Sequence, residues 1–117
     1  MKLPHLAPLV FAKEIIQKTE NSSEVLCKFE QIPTFGMFVE TAAQATASFF
    51  QDDKYRLGFL VNATNIELLS MIDEYKYIVK LDLQLKFDNL AKYSFEIISY
   101  EKQLTVLKGE LTISFQE

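Results

Sequence analysis

Histidine occurs once in these 117 residues, cysteine once, and tryptophan not at all. A metal centre built on imidazole and thiolate is excluded by that composition, because His5 and Cys27 stand alone and far apart in the chain. One cysteine allows no internal disulfide, which suits a reducing cytoplasm, the expected compartment. Only three Gly and three Pro are present, so long loops, linkers and a glycine-rich phosphate cradle are all missing. Arginine is reduced to Arg56, the lysines are scattered, and the net charge is -4. No basic stripe exists to neutralise phosphates, so nucleic acid is not an expected partner. Long apolar runs are lacking too. Residues 32–51 carry no charge except Glu40, yet Thr41, Gln44, Thr46, Ser48 and Gln51 make that stretch too polar for a membrane span. The opening MKLPHLAPLVFAKEI is interrupted by Pro4, His5 and Pro8 and is followed by no small-residue cleavage site.

What is present is material for a core. Hydrophobic residues make up 49% of the chain, with ten Phe and five Tyr, enough for one domain spanning residues 1–117. Two strand-like runs come first, roughly Leu9 to Lys18 and Val25 to Gln31, parted by the turn-forming TENSS. Ile32-Pro33-Thr34 breaks the pattern and offers Thr34 as a helix cap. A proline-free, alanine-rich helix is expected from about Gly36 to Gln51. Gly58 to Leu69 reads as a strand. Val79, Leu81, Leu83, Leu85 and Phe87 then alternate with Lys80, Asp82, Gln84 and Lys86, the cleanest period of two in the chain. Tyr93, Phe95 and Ile97 continue it beyond an Asp88-Asn89 turn. Leu107, Leu111, Ile113 and Phe115 close the chain, with Gly109 on the same inward side, a sign of close approach beneath the helix.

Two strands, one helix and four strands leave a single helix to cover the dry face of a sheet. That helix is apolar nearly all round, more than a flat sheet would require. The expected architecture is α+β: a strongly curved antiparallel sheet of about six strands wrapped around one long central helix, the hotdog fold.

Glu40 is the one charged side chain between Glu30 and Asp52. At 100° per residue, Glu40, Gln44, Ser48 and Gln51 fall within about 80° of one another and form a narrow polar stripe. Placed near the first turn, Glu40 gains about 0.3–1 kcal/mol from the helix dipole. Burying an ionised carboxylate without a partner costs several kcal/mol, so it must face a hydrated cleft, find a partner or take up a proton. All three recur at reactive sites. The stripe could also simply face water. Solvated helix faces usually carry several charges of both signs, however, and this one has a single acid and no lysine.

Several stretches resemble one family. LPHLAPLVFAKEII at residues 3–16 looks like the strand entry of the 3-hydroxyacyl-(acyl-carrier-protein) dehydratases. VETAAQA at 39–45 resembles the start of their central helix, LGFLVNATNIELL their third strand and LKGELTISF their last. The resemblance implies a hotdog homodimer, with acyl tunnels at the subunit interface, or a higher oligomer. It implies an acyl thioester substrate, carried on acyl-carrier protein or coenzyme A, in fatty acid biosynthesis or related acyl-chain metabolism. It puts Glu40 at the catalytic carboxylate position with Gln44 orienting the site, implies Gly36, Met37 and Phe59 as substrate contacts, and calls for no cofactor. An acidic carrier would need a local basic spot, for which Lys54 and Arg56 are candidates, although both read more readily as ordinary surface charges.

The family's catalytic histidine belongs on the second strand or just after it, where this chain has EVLCKFEQIPTF. Dehydration needs a base for the α-proton, an acid for the departing hydroxyl and a donor for the thioester oxygen. Glu40 can serve as the acid and the amides near Gly36 as the donor. For the base, Cys27 and Glu30 are near in sequence and His5 could reach in from a partner subunit; an alternating-strand cysteine is ordinarily a core residue, Glu30 reads equally as a surface charge, and His5 matches the structural opening motif. Two other readings stay open. A thioesterase needs only one helix carboxylate to activate water, and a non-catalytic acyl-binding or partner subunit needs neither group.

Overall fold

A computed structural model of the chain describes residues 12–46 and 57–116. The elements run β1 (Ala12–Lys18), β2 (Ser22–Lys28), α1 (Phe35–Ala45), β3 (Leu57–Leu68), β4 (Lys76–Phe87), β5 (Leu90–Ser99) and β6 (Thr105–Gln116). They build one six-stranded sheet in the order β1-β2-β4-β5-β6-β3, antiparallel at every pairing.

Period-two alternation decides which way each strand faces. Val25 and Cys27 of β2 lie opposite Val79 and Tyr77 of β4. Val79 and Leu81 lie opposite Ile97 and Phe95 of β5. Phe95, Ile97 and Tyr93 lie opposite Gly109, Leu107 and Leu111 of β6. These residues are buried and make the core on the helix side. Their neighbours turn outward, and there Glu24, Lys80, Glu96, Lys108 and Glu67 pair in register across five strands with alternating sign. Lys108 Nζ stands 3.7 Å from Glu67 Oε2. Such a cross-strand ion pair contributes about 0.2–1 kcal/mol. A slip of one residue would turn the whole row into the core, so register is tightly specified.

The helix begins where the sequence places its cap. Thr34 is extended (φ -89, ψ 167), and its hydroxyl accepts the Met37 N–H at 3.2 Å. Phe38, Thr41, Ala42 and Ala45 are buried, the i, i+3, i+4, i+7 spacing of one face against the sheet. The sheet does not enclose the rest: Gly36 is exposed, and Val39, Glu40 and Ala43 are only part-buried. The expected continuation of the helix to Gln51 lies outside the described residues beyond Thr46.

Two expectations about the core need correction. Leu85 and Phe87 belong to the alternating run of β4 but are 62% and 72% exposed. The pairing with β5 shifts between Leu83 and Leu85, and the hairpin tip runs on past the face that α1 covers. Gly109 does mark a close approach, but the neighbours are Ile66 and Phe95 rather than the helix. Ile66 comes from a bulge in β3 between Thr64 and Glu67, where Asn65 has φ 54 and its amide donates to Glu110 Oε1 at 2.6 Å. The bulge bends the edge strand and drops Ile66 into the notch that the missing Cβ leaves.

Candidate functional site

Phe35, not Gly36, opens the helix, so Glu40 stands in its second turn rather than its first. The dipole contribution fades over that distance, and Glu40 must be held by its surroundings instead. Its side chain is half-buried, on the same side of the helix as the exposed Gly36 and the part-buried Val39 and Ala43. No cation or hydrogen-bond donor is paired with its carboxylate among the described residues. A carboxylate so placed can hand over or accept a proton at the water boundary. Gln44, one turn on, has no exposed surface. Burial therefore differs along the expected polar stripe, with Gln44 inside the fold and Glu40 at its rim. Ser48 and Gln51, the rest of the stripe, lie outside the described residues, as do His5, Lys54 and Arg56.

At the helix entrance Thr34 takes two amides, that of Met37 on its hydroxyl and that of Phe38 on its carbonyl at 3.2 Å. The Phe35 and Gly36 amides point toward the open end, as the first N–H groups of a helix do. A Cβ built on Gly36 would meet nothing within 4 Å, so the backbone there is open to an approaching group. Met37 is half-buried, and its sulfur accepts the Thr34 N–H at 3.4 Å. Phe59 is described by its backbone alone, opposite Ser114. Cys27 is buried in the sheet, its thiol directed to the Val25 carbonyl at 3.6 Å; it has the surroundings of a packing residue.

Beneath the first turns of α1 lies an aromatic cluster that no periodicity announces. Phe38 meets Tyr77 edge-on at 4.9 Å and Phe29 at 5.8 Å between ring centres. Burial raises the Tyr77 phenol above its ordinary value, and the nearby Glu74 and Asp73 charges add to that rise. Tyr93, a buried residue of β5, is pushed up to about 12 by burial. On the outer face an open depression of about 430 Å³ is lined by Lys80, Asp82, Glu96, Lys108 and Glu110 with Asn65. It faces away from α1. There the Asn65 amide, then Lys92, hold the Glu110 carboxyl below its ordinary value.

No group of three or more acidic, histidine or cysteine side chains is arranged to hold a metal among the described residues. None of the described helices is long and apolar enough to cross a membrane.

No protein-family model matches the chain, and no curated protein does. Solved structures match closely in shape. The dehydratase heterocomplex ApeI:P from Xenorhabdus doucetiae superposes with a TM-score of 0.75 at 16% identity, over 99% of this chain and 89% of that one. A mutant thioesterase enzyme from Staphylococcus aureus gives 0.72 at 6% identity, over 89% of this chain and 93% of that one. A hypothetical thioesterase protein from Streptococcus pneumoniae, solved with coenzyme A, gives 0.65 at 15% identity, over 88% and 84%. At such identities the likeness establishes architecture: a six-stranded antiparallel sheet with one helix packed on it, the hotdog fold.

Proposed function

We propose that this chain handles acyl thioesters as a divergent relative of the 3-hydroxyacyl-(acyl-carrier-protein) dehydratases, with Glu40 as its working carboxylate. The observation that carries the reading is Glu40 itself: the one acid of α1, half-buried, unpaired among the described residues and close to the exposed Gly36 at the helix start. Structural neighbours that include a dehydratase heterocomplex and a hypothetical thioesterase protein solved with coenzyme A support it.

In the dehydratase reading a base removes the α-proton of a 3-hydroxyacyl thioester. The electron pair moves into the new carbon–carbon double bond, and the hydroxyl leaves as water on the proton that Glu40 supplies. The Gly36 amide faces the thioester oxygen as charge develops there, Gln44 orients the site, and Met37 and Phe59 line the acyl chain. The base comes from His5 or from a partner subunit of a complex, since Cys27 is packed inside the sheet. The absence of histidine from residues 25–35 favours a second reading, in which Glu40 activates water against the thioester carbonyl as a thioesterase. A partner subunit that binds acyl chains without turning them over completes the alternatives. Carriers are acyl-carrier protein or coenzyme A, no cofactor takes part, and the setting is the cytoplasm.

The site is shared across a homodimer formed at β3. Of the two edge strands, β1 (AKEIIQK) carries Lys13, Glu14 and Lys18 and two register shifts, the usual devices against edge pairing. β3 has Glu67 as its only charge and leaves Leu60, Val61 and Leu68 between 40% and 59% exposed. An edge so apolar calls for a second strand.

Crotonyl, 3-hydroxyacyl and saturated acyl thioesters separate the readings. Loss of enoyl absorbance marks the dehydratase, and free thiol release marks the thioesterase. Silence on all three with retention of an acyl ligand marks the binding subunit. Glu40→Gln is expected to abolish whichever turnover is found, and undiminished turnover would remove Glu40 from the mechanism. Val61→Lys is expected to yield monomers by light scattering; an unaltered dimer would place the interface elsewhere.

A further inference from the structure

We infer that Tyr77 is a positioning residue: it ties the loop between β3 and β4 to the first turns of α1 and thereby sets where the Glu40 carboxylate stands. The inference rests on Glu40 being the working group, but its tests do not.

Tyr77 sits at the start of β4, between Cys27 of β2 and Ser99 of β5, and is 1% exposed. Its ring has one job and its hydroxyl another. The ring stands edge-on to Phe38 at 4.9 Å and 82°, and to Phe29 at 6.1 Å and 72°. Phe38 is fully buried and belongs to the same rigid turn as Glu40, so the ring's position is passed to the carboxylate through one turn of helix. The hydroxyl oxygen accepts the Glu74 N–H at 2.9 Å. Glu74 in turn is clasped from the far side. The buried Ser99 hydroxyl donates to its Oε2, the Glu101 N–H reaches its Oε1 at 3.3 Å, and Lys102 Nζ lies 3.9 Å away. Lys102 also holds Asp73 at 2.8 Å, and its own N–H donates to Ser99 Oγ at 3.1 Å.

The phenol is thus fixed at both ends, by rings on one side and by a clasped loop on the other. Aromatic packing alone would leave the ring free to slide between Phe29 and Phe38. A phenol pinned through its oxygen cannot do so without giving up the Glu74 amide. The raised pKa of Tyr77, caused mainly by burial, keeps that oxygen protonated and neutral across the ordinary working range.

Tyr77→Phe removes the oxygen and keeps the ring. Loss of the hydrogen bond is expected to speed amide exchange at Glu74 about tenfold, with the Phe38–Thr41 amides following by several-fold. The Tyr93 and Leu111 amides of the far sheet should be unchanged. The Glu40 carboxyl ¹³C resonance, identified by its loss in Glu40→Gln, should move, while that of Glu110 stays in place. Ser99→Ala loosens the clasp from outside and should reproduce the pattern at smaller size, so it serves if Tyr77→Phe fails to fold. Where a thioester is turned over, kcat should fall about three- to tenfold with KM unchanged, the mark of a misplaced group. Faster exchange at Glu74 with α1 and the Glu40 resonance unmoved would overturn the inference, as would uniform acceleration of every amide. These resonance and exchange readouts need no substrate, so their failure leaves the proposed activity standing, and inactivity of the wild type leaves them intact.

Discussion

Gly109→Ala tests the packing between the edge strand and the sheet. A Cβ built there would stand 2.9 Å from Ile66 Cγ1 and 3.0 and 3.1 Å from two atoms of the Phe95 ring, against about 3.5–4.0 Å for carbon atoms at rest. Replacing glycine restrains the unfolded chain, which favours the variant by about 0.4–1 kcal/mol. Overpacking opposes it by about 1–3 kcal/mol. The balance turns on how far the neighbours can yield. Phe95 is 2% exposed in the centre of the core. Ile66 sits on a bulge fixed by the Asn65–Glu110 hydrogen bond. Neither retreats easily, so the steric cost wins and the variant should lose about 1–2 kcal/mol. Ile66→Ala removes the nearest atom. In the double variant the two losses should fall short of their sum by about 1 kcal/mol, the coupling typical of side chains in contact. Urea unfolding followed by far-UV circular dichroism measures all four corners of the cycle, provided the slopes stay equal. A Gly109→Ala protein more stable than the wild type would refute the reasoning. So would two losses that add to within about 0.3 kcal/mol.

Phe38→Ala should cost about 3–5 kcal/mol in the same assay, because Phe38 has no exposed surface and two aromatic neighbours. Phe35→Ala, three residues earlier and 44% exposed, should cost about 0.5 kcal/mol or less; equal losses would mean that the helix is turned the other way. Tyr93 supplies a pH dependence. Its folded pKa is raised from 10.0 to about 12 by burial, so its contribution is whole below pH 10. That contribution is lost as pH rises from 10 toward 12, by up to about 2.7 kcal/mol. Alkaline unfolding of Tyr93→Phe should lack that share of the slope, and an unchanged slope would show that the phenol reaches water.

Much of the fold is legible in single residues. Thr34 was expected to cap the helix and does. The alternation from Val79 to Leu83 marks a strand with one dry face, and β4 has it. Glu40 attracts notice as the lone acid of an apolar helix, and it is part-buried. Less legible is what covers each position. Leu85 and Leu81 obey the same period, yet one is exposed and the other has no exposed surface, because α1 reaches only part of the β4–β5 hairpin. Gln44 and Glu40 share a helix stripe, yet one is inside the fold and the other at its rim. The Tyr77–Phe38–Phe29 cluster and the clasp on Glu74 join segments far apart in sequence, and nothing local signals either.

The amino-acid order alone determined the element types, their sequence along the chain and the wet and dry side of each central strand. Those follow from backbone propensity and periodicity, which act over a few neighbouring residues. Tertiary structure decided that β3 crosses to the far edge beside β6, that Ile66 fills the space above Gly109, and that Glu40 is part-buried where Gln44 is fully buried. Such outcomes depend on which surfaces meet, and burial is settled by residues brought together from distant parts of the chain.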